Sequence, residues 1–236
     1  MAPCRLVVAI NLLLLSFLCS PAQAVEPTHR FPAIFDSREI FSANLVEFPN
    51  WTGVLRRARA EIAAAGALCS HSASNVCQPD EWQDILRHLA GLSTRGKVEY
   101  VNTRINAHPY VSSLRNWGTT SYWETPFEFF RRNGQCQDYA TTKFLLLRAA
   151  GIPNDAMRLV VVHDFVSQQD HALVLVDVDG EALMLDNQMK DVLPADRIHR
   201  YRPYYSINET GWWQHVPRPL SAIAGLRPAA APRTDG

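Results

Sequence analysis

Cys136, His171 and Asp186 have the side chains and the chain order of a thiol hydrolase. A thiolate attacks a carbonyl carbon, an imidazole moves the protons, and a carboxylate orients the imidazole. Gly134 stands two residues before the cysteine and allows a close backbone approach, and the segment from Cys136 to Ala150 reads as a helix. A cysteine opening a helix sits where the aligned peptide dipoles favour a thiolate, and a neighbouring imidazolium adds to that effect.

The other two residues are linked by a hairpin. Asp179-Gly180 is a strong turn signal between the apolar runs 171–177 and 181–186. A two-residue loop there sets His171 opposite Gln188 and diagonal to Asp186; a four-residue loop from Asp177 to Gly180 sets it directly opposite Asp186. Both registers put the two side chains on one sheet face, and only a loop of odd length would separate them. The residues alone leave other readings open. A lone cysteine is more often a small buried apolar group, and Asp186-Asn187 could be a simple turn.

The elements that must position these groups follow from periodicity. Trp51, Val54, Leu55, Ala58 and Ile62 recur at helical steps, as do Trp82, Ile85, Leu86 and Leu89, and then Val98, Val101 and Ile105. Thr125-Pro126-Phe127-Glu128 opens a short helix with a cap, a proline and a glutamate three residues on, and Asn133-Gly134 stops it. The helix from Cys136 is apolar on most sides and is expected at the centre of the fold; Gly151-Ile152-Pro153 ends it. Strands are expected at 158–163, 171–177 and 181–186. Trp212-Trp213 reads as packing that closes the domain. Trp117, Tyr122 and Trp123 could line a groove beside Cys136 or belong to the core.

Met1–Ala24 reads as a secretory signal, with Arg5, an apolar run from Leu6 to Cys19, and Ala22-Gln23-Ala24 as the cleavage site. The run falls short of the roughly 20 residues a membrane span needs. Residues 25–216 then form one domain, followed by a disordered Pro/Ala-rich tail over 217–236, and the protein is expected in the periplasm. Export leaves Cys69, Cys77 and Cys136. The first two close a short loop as a disulfide, with a zinc site including His71 as the alternative, and Cys136 stays free. The 23 Lys+Arg equal the 23 Asp+Glu, which argues against a nucleic-acid partner. With 47% hydrophobic residues the chain can bury a core.

Three blocks carry a resemblance: Ser121-Tyr122-Trp123-Glu124-Thr125-Pro126-Phe127-Glu128-Phe129, then Gly134-Gln135-Cys136-Gln137-Asp138-Tyr139-Ala140, then His171-Ala172 with Leu185-Asp186-Asn187. Together they resemble the bacterial transglutaminase-like cysteine proteinases, whose best-known members are periplasmic LapG-type proteases that release surface adhesins. The resemblance implies an α+β, papain-like fold with helices packed on an antiparallel sheet. It also implies Cys136 as nucleophile, His171 as general base and then acid, and Asp186 as the orienting carboxylate. A protein substrate, such as a surface adhesin, and an inner-membrane regulatory receptor belong to the same implication.

In LapG-type enzymes acidic residues flank the cysteine and help to bind calcium. Here Gln135 and Gln137 stand there and only Asp138 is charged, so calcium binding is expected to be weak or absent, and no other cofactor is called for. The oxyanion is expected to meet the Cys136 backbone N–H, with Gln135 and Trp123 near the site. Acyl transfer to an amine on the same three residues, and a non-catalytic binding module, remain the competing readings.

Overall fold

The computed structural model describes residues 31–70 and 81–217, side chains 66–70 excepted. The signal segment, Cys77 and the side chain of Cys69, His71 and residues 218–236 therefore lie outside the described residues, and with them the disulfide and the tail.

Among the described residues, six helices and seven strands follow one another as β1 (Ser37–Ser42), α1 (Pro49–Ser70), α2 (Glu81–Leu89), α3 (Thr94–Asn106), α4 (Ser113–Trp117), α5 (Pro126–Arg132), α6 (Cys136–Ala149), β2 (Met157–Asp164), β3 (Gln169–Val178), β4 (Glu181–Leu185), β5 (Leu193–Pro194), β6 (Tyr201–Ile207) and β7 (Trp212–Pro217). The strands form a single sheet in the order β1-β7-β6-β2-β3-β4-β5, antiparallel throughout. Helices on an antiparallel sheet are the α+β architecture expected from the sequence. No described helix is long and apolar enough to cross a membrane.

The sheet is covered on both sides, which explains the near-continuous apolar runs of its central strands. Ala172, Val174, Val176 and Val178 of β3 face a core shared with Val98, Val101 and Ile105 of α3 and Phe144, Leu146 and Leu147 of α6. Leu173 and Leu175 alternate to the other side and pack with Phe31, Ile34, Met184 and Tyr201. α6 is buried almost all round, so its first residue is held against the sheet by the whole core.

Local signals set the ends of these elements. Thr125 and Glu128 form a reciprocal capping box, with Thr125 N donating to Glu128 Oε2 at 2.8 Å and Glu128 N to Thr125 Oγ1 at 3.2 Å. At the hairpin, Val178 pairs with Glu181 and Val174 with Leu185. The two-residue loop is the one adopted, with φ of 56° at Asp179 and 86° at Gly180, as a primed turn requires.

Five elements escaped the sequence reading: β1, α4, β5, β6 and β7. Pro203 interrupts β6, and a proline ordinarily demotes a strand. Here the β2–β6 register shifts between Val161 and Val162, and Pro203 sits at that bulge, where a missing N–H costs the ladder least. Trp212-Trp213, read as packing alone, is the start of a strand pairing with both β1 and β6. Pro217, assigned to the tail, is the last residue of β7.

The turn gives the first test. Gly180→Ala places a Cβ at positive φ and should cost about 1–2 kcal/mol in urea denaturation; a change within 0.3 kcal/mol would show that the turn conformation is not what the hairpin depends on.

Candidate active site

Cys136 is the first residue of α6 and is half-buried. Its N–H belongs to the first turn, whose donors have no intrahelical acceptor. The helix start is anchored by Asp138, fully buried, whose Oδ2 accepts from Gln135 N at 2.9 Å and whose Oδ1 accepts from Glu124 N at 2.8 Å. This ties α6 to the segment that precedes α5. Burial pushes the Asp138 carboxyl up, against the pull of those two N–H groups, and the Glu124 and Glu128 charges push the same way, to about 7.

Gly134 serves this anchor. A Cβ there would lie 2.6 Å from Asp138 Cβ, so the close approach that the glycine permits is to Asp138.

His171 and Asp186 sit at adjoining ends of β3 and β4, 4% and 1% exposed. His171 Nε2 lies 2.8 Å from Asp186 Oδ1. The other carboxylate oxygen, Oδ2, accepts from the Tyr201 hydroxyl at 2.5 Å, and Oδ1 also accepts from Gln188 N at 2.8 Å. The Tyr201 ring stacks on the imidazole at 5.9 Å and 28°. Burial alone would raise the Asp186 carboxyl, but the His171, Tyr201 and Gln188 hydrogen bonds outweigh it and hold the carboxyl below its ordinary value. Burial alone would lower the His171 pKa; the Asp186 hydrogen bond, then the Cys136 thiol and the two charges, raise it to about 9. With Nε2 engaged by Asp186, Nδ1 is the nitrogen left for the thiol, and Gln188 Nε2 lies 3.4 Å from that same Nδ1.

Cys136 and His171 line one cleft of about 310 Å³, together with Gln135, Gln137, Trp123, Tyr110 and Asp170 among others. Gln135 and Trp123 line this cleft together with Cys136. Trp117 and Tyr122 are not among the cleft-lining residues: their rings pack on each other at 4.4 Å, and Arg132 and Arg57 cover them from outside.

Sequence reasoning missed the supports. Tyr201 lies 15 residues from Asp186 in a strand that was not foreseen. Two asparagines of α3 hold the loop after Asp186. Asn106 Nδ2 donates to the Asp186 and Met189 carbonyls at 2.8 and 3.0 Å, and Asn102 Nδ2 to that of Lys190 at 3.3 Å. The wholly buried Lys143 of α6 donates to Asn102 Oδ1 at 2.8 Å; burial lowers its pKa to about 7 against the attraction of Asp186. A polar residue in the middle of an apolar helix was the available signal.

The oxygens around Cys136 are largely engaged within the protein. Both oxygens of Asp138 are taken by backbone N–H groups. Gln135 Oε1 accepts from Ser113 N at 3.2 Å, and Gln137 Nε2 is turned to Ser113 Oγ and the Tyr122 carbonyl at 3.4 and 3.3 Å. Buried Glu124 Oε2 lacks a partner, but it offers one oxygen where calcium takes six to eight. Among the described residues, no group of three or more His, Cys, Asp or Glu side chains is arranged to hold a metal ion.

Helices over an antiparallel sheet, with a thiol at the start of the central helix and a carboxylate-bound imidazole in the same cleft, define a papain-like or transglutaminase-like thiol hydrolase. The family model for the bacterial transglutaminase-like cysteine proteinases matches residues 63–219. The chain belongs to this family and is a cysteine peptidase. Among solved structures it is similar to Legionella pneumophila LapG, at 24% identity and a TM-score of 0.54, over 65% of this chain and 87% of that one. The EGTA-treated form of that protein gives 24% identity and a TM-score of 0.56 over 70% and 92%. The calcium-bound form gives 24% and 0.55 over 65% and 87%. These likenesses are of fold. No curated protein matches the chain.

Two outcomes follow. Gly134→Ala forces the Asp138 anchor to shift and should cost about 1–3 kcal/mol, with slower reaction of Cys136; unchanged stability and reactivity would show that the anchor is dispensable. The second concerns pH. The folded His171 pKa is raised from 6.5 to about 9, so its stabilisation is full below pH 6.5 and is lost as pH rises through 9. Melting temperature should fall over that window, and His171→Gln should flatten the fall; equal slopes in the two proteins would contradict the assignment.

Proposed function

We propose that this chain is an exported cysteine peptidase that hydrolyses peptide bonds of a periplasmic or cell-surface protein through Cys136, His171 and Asp186. The observation that carries the reading is the shared cleft. A thiol in the first turn of a buried helix lies beside an imidazole whose far nitrogen is fixed 2.8 Å from a buried carboxylate. In this reading His171 takes the thiol proton at Nδ1 and the thiolate attacks the scissile carbonyl carbon. The negative oxygen is met by the Cys136 N–H. His171 then protonates the leaving amine, which leaves a thioester, and water activated by the same ring releases the acid and the free thiol. Asp186 keeps the ring oriented throughout, as imidazolium and as neutral imidazole.

The family resemblance makes a surface adhesin the first substrate to test and an inner-membrane receptor the first regulator. The A-x-A site at Ala22–Ala24 supports export. Because the oxygens that flank Cys136 are already committed within the protein, we propose that its activity does not need calcium.

Alkylation of purified protein, followed as modification of the Cys136-bearing peptide, tests the thiol without a known substrate. With iodoacetamide at pH 6 the parent should react at least tenfold faster than His171→Ala. Equal rates would overturn the pairing of thiol and imidazole. Rates in 1 mM CaCl2 and in EGTA should agree within twofold; a tenfold difference would overturn calcium independence.

A further inference from the structure

Among the described residues lining the Cys136 cleft, Asp170 is the only carboxylate, and there is no lysine or arginine. It stands in β3 next to His171, paired across the sheet with His163, and its side chain is 68% exposed. Two hydrogen bonds fix it, and both fall on one oxygen. The Tyr204 hydroxyl donates to Oδ1 at 3.0 Å, and His163 Nδ1 lies 3.4 Å from the same atom. Among the described residues Oδ2 has no hydrogen-bond partner, so one face of an oriented carboxylate is left to solvent at the rim. Arg202 of β6, paired with His163 of β2, lies over the Phe165 and Tyr204 rings at 5.6 and 5.9 Å and lines a different groove. Apart from Asp170 and from Cys136 and His171 themselves, the polar and aromatic wall is neutral: Tyr110, Thr120, Trp123, Gln135, Gln137 and Tyr205.

We propose that Asp170 is a specificity-determining residue that selects peptides carrying a lysine or arginine side chain beside the scissile bond. This inference rests on the cleft being the peptidase site. A carboxylate held by its neighbours loses little freedom when it pairs with an incoming cation, and its free oxygen accepts an ammonium or guanidinium N–H as a charge-assisted hydrogen bond. An acidic side chain at the same place would meet a like charge, and His171, the one positively charged group in the wall, is already engaged by Asp186. The aromatic rings of Trp123, Tyr110 and Tyr205 supply faces for the aliphatic stem of such a side chain.

Charged thiol reagents test this without knowing the substrate. The rates at which Cys136 reacts with a trimethylammonium-bearing and a sulfonate-bearing methanethiosulfonate are compared as a ratio within each protein. The parent should favour the cation, and Asp170→Asn should lower the ratio by threefold or more, about what one exposed unit charge supplies at short range. Asp170→Lys should reverse it, and 0.5 M NaCl should shrink the parent's preference. A ratio unmoved by either substitution overturns the inference. A peptide-library digest is the second arm: cleavage sites should be enriched in Lys or Arg at one flanking position, and the enrichment should vanish in Asp170→Asn. Enrichment that persists in the variant, or sites with no basic preference, overturns it equally. A Cys136 whose alkylation is indifferent to His171→Ala instead counts against the peptidase reading, so the two failures are distinguishable.

Discussion

The arrangement depends on a buried hydrogen bond between an imidazole and a carboxylate on neighbouring strands. His171 and Asp186 are both nearly closed to solvent, and a buried charge without a partner is costly. Each makes the other tolerable: the ring accepts a proton and the carboxylate stays ionised, and the chemistry of a thiol hydrolase needs that same pair of states. Removing either partner would strand the other, so the pair is the least forgiving feature of the sheet.

Strand register brings the pair together, and two other parts of the chain keep it in place. The primed turn at Asp179-Gly180 sets β3 against β4 so that Asp186 falls diagonal to His171. Tyr201 of β6 occupies the second carboxylate oxygen and covers the ring. Behind them, Lys143, Asn102 and Asn106 tie the loop after Asp186 to α6 and α3. The helix that carries the thiol is therefore linked to the loop that follows the acid by a buried polar network as well as by apolar packing. A second buried carboxylate, Asp138, fixes the start of that helix through two backbone donors. Two buried acids of opposite character result. Asp186 is held ionised by strong donors, whereas Asp138 is pushed towards its neutral form by burial and by acidic neighbours.

Much of this was legible in the residues. The central helix, its short predecessor and the β3–β4 hairpin follow from periodicity, a capping box and a turn dipeptide, and those features bring Cys136, His171 and Asp186 to one place. What could not be read depends on long-range contacts. β6 carries Pro203, a residue that ordinarily demotes a strand, and the bulge opposite β2 makes it acceptable here. β1 and β7 lie towards the far edge of the sheet, where pairing rather than composition makes them strands. Tyr201 followed β6 into obscurity, and Lys143 looked like an ordinary helical lysine until the core closed around it. The aromatic cluster divided: Trp123 reached the cleft, while Trp117 and Tyr122 packed together under two arginines.

The central claim is that Asp186 keeps His171 charged beside the thiol at neutral pH. A 15N NMR titration of the histidine rings measures this directly. The account requires the His171 ring to remain protonated on both nitrogens at pH 7.5, to titrate near 9, and to lose that shift in Asp186→Asn. A His171 ring that titrates at or below 6.5 in the parent, or one indifferent to the Asp186 substitution, would contradict it.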